Sequence, residues 1–467
     1  MDETIIALLS ELDLCHAMKA DLIHPQNRVF KSVCTDSRKV TPDDLFIALS
    51  GERFDGHDFI PDVVHKGCRG VLVSRKLDVP DDVAMFVVDD VLKAFGMLAE
   101  AVLEKRRSLG NFKTFAVTGS NGKTTTKELL SLLLEAQGKT VLKTEGNFNN
   151  FVGLPMTALR LKTSHDAAVL EMGANAPGEI AYLSSIGKPD TAIITCIGSA
   201  HLEGFGSIEG VAAAKGEMIR APHLKKIVLP SETRRFFENC IPETVTPVWV
   251  GENCEKVCYK NIRATLENIE FDIATPETSA HIVLPLLGTH NAGNFARAFA
   301  ALDAPHFKDG EINKALTRIK LPSGRLERWT NDTGVSFLHD AYNANPSSMA
   351  EAIRLMRMYS APKVLILGDM RELGPESPNL HKTLGHQAAD VHPVRILCIG
   401  DSAQYIRDGA IQNGYPTQNI HCANSDALDN ALEWLKPALT ADTVCLIKGS
   451  RGVRLERVLD FFNARRR

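Results

Sequence analysis

Short apolar runs recur along the whole 467-residue chain, and polar or glycine-bearing segments separate them. Between many of these runs lie stretches of roughly 10 to 15 residues with the amphipathic pattern of surface helices. Strands that alternate with helices in this way predict an α/β fold in which helices cover mostly parallel sheets. A chain of this length is too long for one ordinary hydrophobic core, so we expect several domains.

Two turn-rich segments, near residues 106–110 and 321–325, divide the pattern into three blocks. The blocks predict a smaller N-terminal α/β domain at 1–110, a central domain at 111–322 and a C-terminal domain at 323–467. The last block repeats the order of strand, loop and helical pattern from strands predicted at 363–368, 394–400 and 444–449. That repetition predicts a doubly wound, Rossmann-like sheet.

The central block opens with a predicted strand at 114–117, a glycine-bearing loop and a helix predicted at 124–137. Further strand patterns follow, and the region 225–287 is the richest in them. Its run 245–250 contains Pro247, which has no N–H group to donate to a neighbouring strand. We therefore expect this run to be an edge strand at most.

Composition narrows the class of protein. Hydrophobic residues make up 44% and charged residues 24% of the chain, as in soluble globular proteins. The formal net charge of −4 provides no broad positive field, so we expect no nucleic-acid partner. The basic runs at 104–107 and 465–467 are interpreted as solvated helix ends.

Cysteine usage and hydropathy predict the compartment. The ten cysteines have no repeating spacing, and Cys254 with Cys258 lacks a second pair to complete a zinc site. No apolar stretch of about 18 residues or more could span a bilayer, and the acidic start lacks the pattern of a secretory signal. We expect a reduced, cytoplasmic protein without a membrane span.

The strongest local signal is the sequence TGSNGKTTT at 118–126, between a predicted strand and a predicted helix. Glycines let backbone N–H groups approach phosphate oxygens, and the helix start adds a favourable dipole. Lys123 would pair with the β- and γ-phosphates of a nucleotide, and Thr124 would supply a hydroxyl group to Mg²⁺. The standard pattern has a glycine where this chain has Val117. The loop's ATP-binding candidates are Gly119, Ser120, Asn121, Gly122, Lys123, Thr124 and Thr125.

Three further candidates follow the loop. Glu171 ends the strand predicted at 167–170, where ligand sites gather in open α/β sheets, and a carboxylate there suits Mg²⁺. Taken alone, it could equally cap a helix or form a salt bridge. His201 follows the next predicted strand and could bind a metal, although a lone histidine is more often structural. Lys215 lies on a predicted helix, and by itself indicates only a solvated lysine.

In combination these segments resemble the Mur ligase family. Its signature joins the loop at 118–124 to a Glu, a His, a Lys and a Gly-x-His-Asn segment in that order. Other segments that carry the resemblance lie at 35–38, 51–59, 147–155, 288–294, 340–346 and 367–374.

The resemblance implies a three-domain ligase whose central domain is a P-loop-type ATPase. The first domain would bind a UDP-sugar substrate, and the third would complete the nucleotide and amine sites. Within the family, the segments imply that D-alanyl-D-alanine is joined to UDP-N-acetylmuramoyl-tripeptide through an acyl phosphate, in peptidoglycan precursor synthesis. ATP and two Mg²⁺ ions are the implied cofactors, and we expect a monomer.

The resemblance also implies roles for single residues. The catalytic set would be Lys123, His201 and Lys215. The metal ligands would be Thr124, Glu171, His201 and a carbamylated Lys215. The other nucleotide contacts would come from Asn291, Asn294, Arg325 and Asp340. The substrate contacts would be Ser37 and Arg38 at the UDP-sugar, Asn149 and Asn150 at the peptide, and Asn343, Asn345 and Ser347 at the dipeptide.

Two alternatives stay open at this point. A related ligase would add a single amino acid, such as diaminopimelate, or the glutamate added to folates. A nucleotide-dependent binding module would use ATP without ligation. Amine specificity distinguishes the first alternative, and phosphate release that is indifferent to the peptide substrates would favour the second. The sequence also leaves open whether the tripeptide ends in diaminopimelate or lysine.

Overall fold

The computed structural model describes residues 2–52, 54–199, 202–303 and 310–466. The strands of these residues form three sheets of five, nine and seven strands, in chain order, and helices cover them. Most neighbouring strands are parallel, which confirms the predicted α/β class. None of the helices in these ranges is long and apolar enough to cross a membrane.

The first sheet is small and mixed. Its strands are β1 (Asp21–Ile23), β2 (Ser32–Cys34), β3 (Asp44–Ile47), β4 (Gly70–Val73) and β5 (Ala84–Val87). Its helices are α1 (Glu11–Met18), α2 (Ile60–His65) and α3 (Val91–Ser108). The strand order is β1-β5-β4-β3-β2, in which β1 and β5 pair antiparallel and the other neighbours are parallel.

The basic run at 104–107, interpreted as a solvated helix end, packs against the next part of the chain. Arg106 is only 5% exposed, and its Nε donates to the carbonyl oxygen of His165 at 3.0 Å. Arg107 Nη2 donates to Thr114 Oγ1 at 2.7 Å. The interpretation was wrong because both guanidinium groups satisfy oxygen atoms that lie beyond their own helix.

The central sheet carries the phosphate loop. Its strands are β6 (Lys113–Thr118), β7 (Val141–Lys143), β8 (Ala167–Glu171), β9 (Thr191–Ile194), β10 (Lys226–Pro230), β11 (Thr246–Gly251), β12 (Val257–Ala264), β13 (Ile269–Ala274) and β14 (Ser279–Leu284). Its helices are α4 (Lys123–Ala136), α5 (Gly153–Ala158), α6 (Glu179–Gly187), α7 (Leu202–Phe205), α8 (Ile208–Gly216), α9 (Arg234–Phe237), α10 (His290–Ala301) and α11 (Glu311–Leu316).

The order of this sheet explains where its site forms. It runs β14-β13-β12-β11-β10-β9-β6-β8-β7, and the strands from β12 to β7 are parallel. β6 therefore lies between β8 and β9, and their carboxyl ends meet at one edge. The loop after β6, Glu171 at the end of β8 and the segment after β9 converge there.

Pro247 lies in β11, which has a neighbour on each side, so the predicted edge position was wrong. The pairing explains why proline is tolerated. β11 pairs with β10 from Thr246 to Val250, but it pairs with β12 only at Val250 and Gly251. Pro247 therefore belongs to a segment that pairs on one side only.

The third sheet is doubly wound, as predicted. Its strands are β15 (Glu327–Thr330), β16 (Ser336–Asp340), β17 (Lys363–Gly368), β18 (Arg395–Ile399), β19 (Ile420–Ala423), β20 (Val444–Lys448) and β21 (Arg465–Arg466). Its helices are α12 (Pro346–Met356), α13 (Ser377–Ala389), α14 (Ala403–Gln412), α15 (Leu428–Leu435) and α16 (Arg457–Phe461). The order is β19-β18-β17-β20-β16-β15-β21, in which the first five strands are parallel.

Alternate residues of β17 point to opposite faces of this sheet. Leu365 belongs to an apolar cluster that includes α12 and α13, whereas Val364 belongs to one that includes α15 and α16. The first cluster also contains Leu287, which precedes α10. Arg465 and Arg466 of the basic tail are exposed as expected, but they form a strand beside β15 rather than a helix end.

Candidate active site

A cavity of about 1080 Å³ lies between the carboxyl edges of the central and third sheets. Most of the predicted nucleotide and peptide residues line it. They are Ser120, Asn121, Gly122, Lys123, Thr124, Thr125, Asn149, Asn150, Glu171, Asn291, Asn294, Arg325, Asp340, Asn343, Asn345 and Ser347. They come together because parallel strands deliver their carboxyl ends to one side of each sheet.

Two glycines of the phosphate loop have conformations that other residues rarely adopt. Gly119 has φ +140°, and a Cβ atom there would lie 2.0 Å from Thr195 Oγ1. Gly122 has φ +78°, and a Cβ atom there would lie 2.5 Å from Asn294 Oδ1. Glycine is therefore required at both positions, and the loop packs directly on the helix α10 side of the cavity.

Lys123 begins α4 and folds back over the loop. Its Nζ donates to the carbonyl oxygen of Gly119 at 2.6 Å. Burial lowers the pKa of Lys123, and the nearby Glu171 carboxylate opposes that shift. An ammonium group held by neutral carbonyl oxygens inside a cavity is well placed to pair with phosphate oxygens.

Thr124 and Glu171 form the centre of the polar floor, and both are almost fully buried. Thr124 Oγ1 donates to Glu171 Oε2 at 2.9 Å, and Asn149 Nδ2 donates to Glu171 Oε1 at 2.9 Å. From the other side of the cavity, Arg325 Nη2 donates to Thr124 Oγ1 at 2.8 Å. A hydroxyl and a carboxylate oxygen this close are suitable ligands for a hard cation such as Mg²⁺.

A chain of side-chain hydrogen bonds runs along helix α10 at the cavity wall. Asn291 Nδ2 donates to the carbonyl oxygen of Leu287 at 2.8 Å, and Asn294 Nδ2 donates to Asn291 Oδ1 at 2.8 Å. Arg297 Nη2 donates to Asn294 Oδ1 at 3.1 Å. These hydrogen bonds fix the orientation of both asparagines. Both are buried, and both line the space where a nucleotide base could lie.

The third sheet supplies the opposite wall. Asp340 Oδ1 accepts a hydrogen bond from the backbone N–H of Leu326 at 3.2 Å, and its Oδ2 accepts one from Lys448 Nζ at 2.6 Å. Further along the wall, a Cβ atom at Gly198 would lie 3.1 Å from Ser347 Oγ. The start of helix α12 therefore approaches the segment that follows β9.

Asn345 has a structural part as well as a cavity position. Its Oδ1 accepts a hydrogen bond from Ser348 N at 2.9 Å and caps helix α12, which Pro346 begins. Its Nδ2 donates to Asn121 Oδ1 at 2.7 Å, and Asn121 Nδ2 donates back to Asn345 Oδ1 at 3.2 Å. This pair joins the phosphate loop to the third sheet across the cavity.

Two other predicted substrate residues use side-chain oxygens locally. Asn150 Oδ1 accepts from the backbone N–H of Gly153, the first residue of helix α5, at 2.9 Å. Asn343 Oδ1 accepts from the N–H of Ala344 at 2.8 Å. Because the amide oxygen of each residue already binds locally, we expect any contact with a peptide to be donated by Nδ2.

Four predicted residues do not line the cavity in the described structure. Ser37 and Arg38 follow β2 in the first sheet. Arg38 pairs with Asp36 through two hydrogen bonds of 2.8 Å and holds the pKa of Asp36 at about 2. Gly119, in the loop itself, packs against Thr195. Lys215 lies in helix α8, outside the lining. His201 lies outside the residues that the structure describes.

Lys215 is a buried amine rather than the solvated lysine that its residue type indicates. It is 1% exposed, and its Nζ donates to the carbonyl oxygen of Ala174 at 3.1 Å. Its Nζ also lies 5.1 Å from the centre of the Phe205 ring. Burial, together with the positive charge of Lys123, lowers the pKa of Lys215 to about 7.

The cavity-wall residues that were not predicted include Lys448, Arg297 and Tyr342. Lys448 follows the rule that selected Glu171, since it ends a strand of a parallel sheet. Arg297 lies one helical turn after Asn294, on the same face of α10. Tyr342 lies within segment 340–346, which carries part of the family resemblance, and its ring centre is 4.2 Å from the Arg325 guanidinium carbon.

Three family descriptions match the chain. They are "Mur ligase family, catalytic domain" at residues 29–102, "Mur ligase middle domain" at 117–302 and "Mur ligase, glutamate ligase domain" at 324–451. Two relatives bear the name UDP-N-acetylmuramoyl-tripeptide–D-alanyl-D-alanine ligase. The Bacillus subtilis relative is 35% identical and 96% of each chain is covered. The Escherichia coli relative is 36% identical, with 92% of each chain covered.

Solved structures are similar over the same length. A crystal structure of MurF from Acinetobacter baumannii has a TM-score of 0.86 at 31% identity, and 99% of each chain is covered. MurF ligase from Thermotoga maritima in complex with ADP has a TM-score of 0.78 at 28% identity, with 92% of this chain and 96% of that one covered.

Proposed function

The chain belongs to the Mur ligase family, and on that premise we propose that it is an ATP-dependent ligase joining D-alanyl-D-alanine to UDP-N-acetylmuramoyl-tripeptide. The resulting amide extends a peptidoglycan precursor. The observation that carries this proposal is the cavity in which the phosphate loop, Glu171 and the third-sheet residues Asp340 and Asn345 face one another. Relatives of the same name and the ADP-bound MurF structure support it.

The first step transfers the γ-phosphoryl group of ATP. A carboxylate oxygen of the tripeptide attacks the γ-phosphorus while the bond to the bridging oxygen of ADP breaks, which leaves an acyl phosphate. Lys123 and the backbone N–H groups of the loop bind the phosphates and stabilise the charge that develops on them. Arg325, which reaches Thr124 from the other wall, adds positive charge at the same place.

The second step forms the amide. The amine nitrogen of D-alanyl-D-alanine attacks the acyl carbon, the carbon–oxygen bond to phosphate breaks, and the nitrogen loses a proton. Asn343, Asn345 and Ser347 are the residues we propose to orient the dipeptide, and Asn149 and Asn150 those at the tripeptide. Enclosure between the two sheets excludes water, which would otherwise hydrolyse the acyl phosphate.

We propose that Mg²⁺ binds beside the phosphates. Thr124 Oγ1 and Glu171 Oε2 lie 2.9 Å apart and offer the oxygen ligands that this ion prefers. Within the described residues no group of three His, Cys, Asp or Glu side chains is arranged to hold a metal, so phosphate oxygens and water would complete the shell. When bound, the ion neutralises phosphate charge. A second ion, at His201 and a carbamylated Lys215, stays a prediction.

The remaining assignments are part of the same proposal. Residues 1–110, with Ser37 and Arg38, would bind the UDP-sugar. Residues 111–322 would bind ATP, with Asn291 and Asn294 at the base. Residues 323–467 would complete the nucleotide and amine sites. A cytoplasmic location and a monomeric state also stay predictions.

Product analysis tests the function. Purified protein is incubated with ATP, Mg²⁺ and UDP-N-acetylmuramoyl-tripeptide, with and without D-alanyl-D-alanine, and ADP and the pentapeptide product are measured. We expect product only when all substrates are present. Ligation of a single amino acid in place of the dipeptide would instead favour a related ligase. ATP hydrolysis that ignores both peptide substrates would point to a nucleotide-dependent module.

Two lysine variants, one at the start of helix α4 and one just beyond its end, test the phosphate assignment. Lys123→Ala should abolish turnover, because it removes the ammonium group that faces the phosphates. Lys139→Ala, an exposed change just beyond the end of α4, should leave turnover unchanged. Near-normal rates in Lys123→Ala would contradict the assignment.

A further inference from the structure

Lys448 is a buried lysine that the mechanism above leaves without a role. It ends β20, it is 2% exposed, and its ammonium group meets three oxygen atoms. Nζ donates to Asp340 Oδ2 at 2.6 Å, to the carbonyl oxygen of Asn343 at 3.2 Å and to that of Asp340 at 3.4 Å. A buried ammonium group is costly unless it is paired, so these acceptors must stay in place around it.

All three acceptors belong to residues 340–345, the segment that joins β16 to α12. This segment lies where neighbouring strands β16 and β20 send the chain to opposite faces of the sheet. Ligands bind at such switch points in doubly wound sheets. Lys448 therefore lies directly beneath the segment that faces the cavity.

The segment is tied to the rest of the site at both ends. At its start, the Asp340 carboxylate that pairs with Lys448 also accepts the N–H of Leu326, the residue after Arg325. At its end, Asn345 pairs with Asn121 of the phosphate loop. A shift of the segment would therefore displace groups proposed to bind the nucleotide and groups proposed to bind the amine.

We propose that Lys448 is a positioning residue for the ligation: it holds residues 340–345 in the conformation that binds both ATP and D-alanyl-D-alanine. This inference rests on the proposed function, which assigns those two substrates to the segment. The UDP-sugar is assigned to the first sheet, so its binding does not depend on Lys448. The role predicts a selective defect, confined to two of the three substrates.

The test replaces Lys448 by Met, which keeps the apolar stem and removes the three hydrogen bonds. We expect the Kd of ADP, measured by titration calorimetry, and the KM of D-alanyl-D-alanine to rise about tenfold or more, since hydrogen bonds of a charged group are lost. The KM of UDP-N-acetylmuramoyl-tripeptide should change by less than about twofold. Lys448→Arg, which keeps the charge, should recover part of the loss.

Lys363→Met is the matched control. Lys363 begins β17 and pairs with Val444 at the amino ends of the strands, on the side of the sheet away from the cavity. Its replacement should therefore leave all three constants unchanged. Constants in Lys448→Met equal to those of the control would overturn the proposal. So would an equal rise for all three substrates together with a lower unfolding midpoint. Absence of ligation product with the wild-type protein would instead refute the proposed function.

Discussion

The side-chain amides of Asn121 and Asn345 hydrogen bond to each other in both directions, at 2.7 and 3.2 Å, although the residues lie 224 positions apart. Asn121 belongs to the phosphate loop and Asn345 to the start of helix α12. Each amide donates through its nitrogen and accepts through its oxygen, so the pair specifies both the distance and the orientation of the two walls.

Substitutions of Asn345 should separate its two roles. Asn345→Asp keeps an oxygen that can cap α12 but places a carboxylate against Asn121 Oδ1, so we expect weaker ATP binding with little change in stability. Asn345→Ala removes the cap as well, and should also lower the free energy of unfolding by about 1 kcal/mol. Denaturant unfolding and nucleotide titration measure the two effects. Equal stability of both variants would contradict the capping role.

Tyr342 should act through Arg325. The Arg325 guanidinium carbon lies 4.2 Å from the ring centre, and the same group donates to Thr124. Tyr342→Leu removes the ring and should lower kcat/KM for ATP about thirtyfold, since a desolvated cation–π contact is worth about 2 kcal/mol. Tyr342→Phe keeps the ring and should stay within about twofold of the wild type in steady-state kinetics. If Tyr342→Phe lost activity and Tyr342→Leu did not, a functional role for the contact between the ring and Arg325 would be excluded.

The amine of Lys215 should make stability depend on pH. Its pKa falls from 10.5 to about 7 in the folded protein, chiefly through burial. Below pH 7 both states hold the proton, and from pH 7 to about 10.5 the unfolded state binds more protons, so stability rises with pH. Between pH 7 and 9 this group contributes an increase of about 2 kcal/mol. Urea unfolding of Lys215→Met should lack that increase, and an unchanged pH dependence would contradict the shift.

The same amine should react with carbon dioxide. A carbamate forms only from a neutral amine, and a pKa of about 7 leaves much of Lys215 neutral at pH 8. In ¹³C-bicarbonate we expect a carbamate resonance that is strong at pH 8, weak at pH 6 and absent from Lys215→Met. Ligation activity should fall with the resonance when bicarbonate is removed. A resonance that persists in the Met variant would place the carbamate elsewhere.

His57 should stabilise the first domain, because it joins the segment before α2 to the residue that follows β4. Its Nδ1 lies 2.5 Å from Asp55 Oδ1, and its Nε2 accepts the N–H of Ser74 at 2.9 Å. Nε2 also lies 3.1 Å from the Ser74 hydroxyl oxygen, so both ring nitrogens hydrogen bond to nearby groups. His57→Ala should lower the free energy of unfolding by about 2 kcal/mol, and His65→Ala, an exposed change in α2, should not. Thermal unfolding compares them.

The sequence was most informative where the chemistry is local. The loop at 118–124 could be predicted because its glycines, strand and helix adjoin one another. Glu171 could be predicted because a strand pattern ends on it. Lys448 ends a strand in the same way, yet its meaning depends on Asp340, 108 positions away. No local pattern encodes that pairing.

Other sequence predictions failed where contacts between segments distant in sequence determine the environment of a residue. Pro247 was expected at a sheet edge, but β11 pairs on its second side only beyond Pro247. Arg106 was interpreted as solvated, but its carbonyl partner at His165 comes from another part of the chain. The role of His201 stays a prediction, since it lies outside the described residues.

The hydrogen bonds that cross the cavity have a consequence for product egress. Hydrogen bonds cross the cavity from Arg325 to Thr124 and between Asn121 and Asn345. If the walls separated, water could form hydrogen bonds with the same groups. The apolar contact near Leu287, which belongs to the cluster under the third sheet, lies at one side of the gap. Separation of the walls at these polar contacts would hydrate polar groups without exposing the apolar cluster, so we expect product release to require no local unfolding.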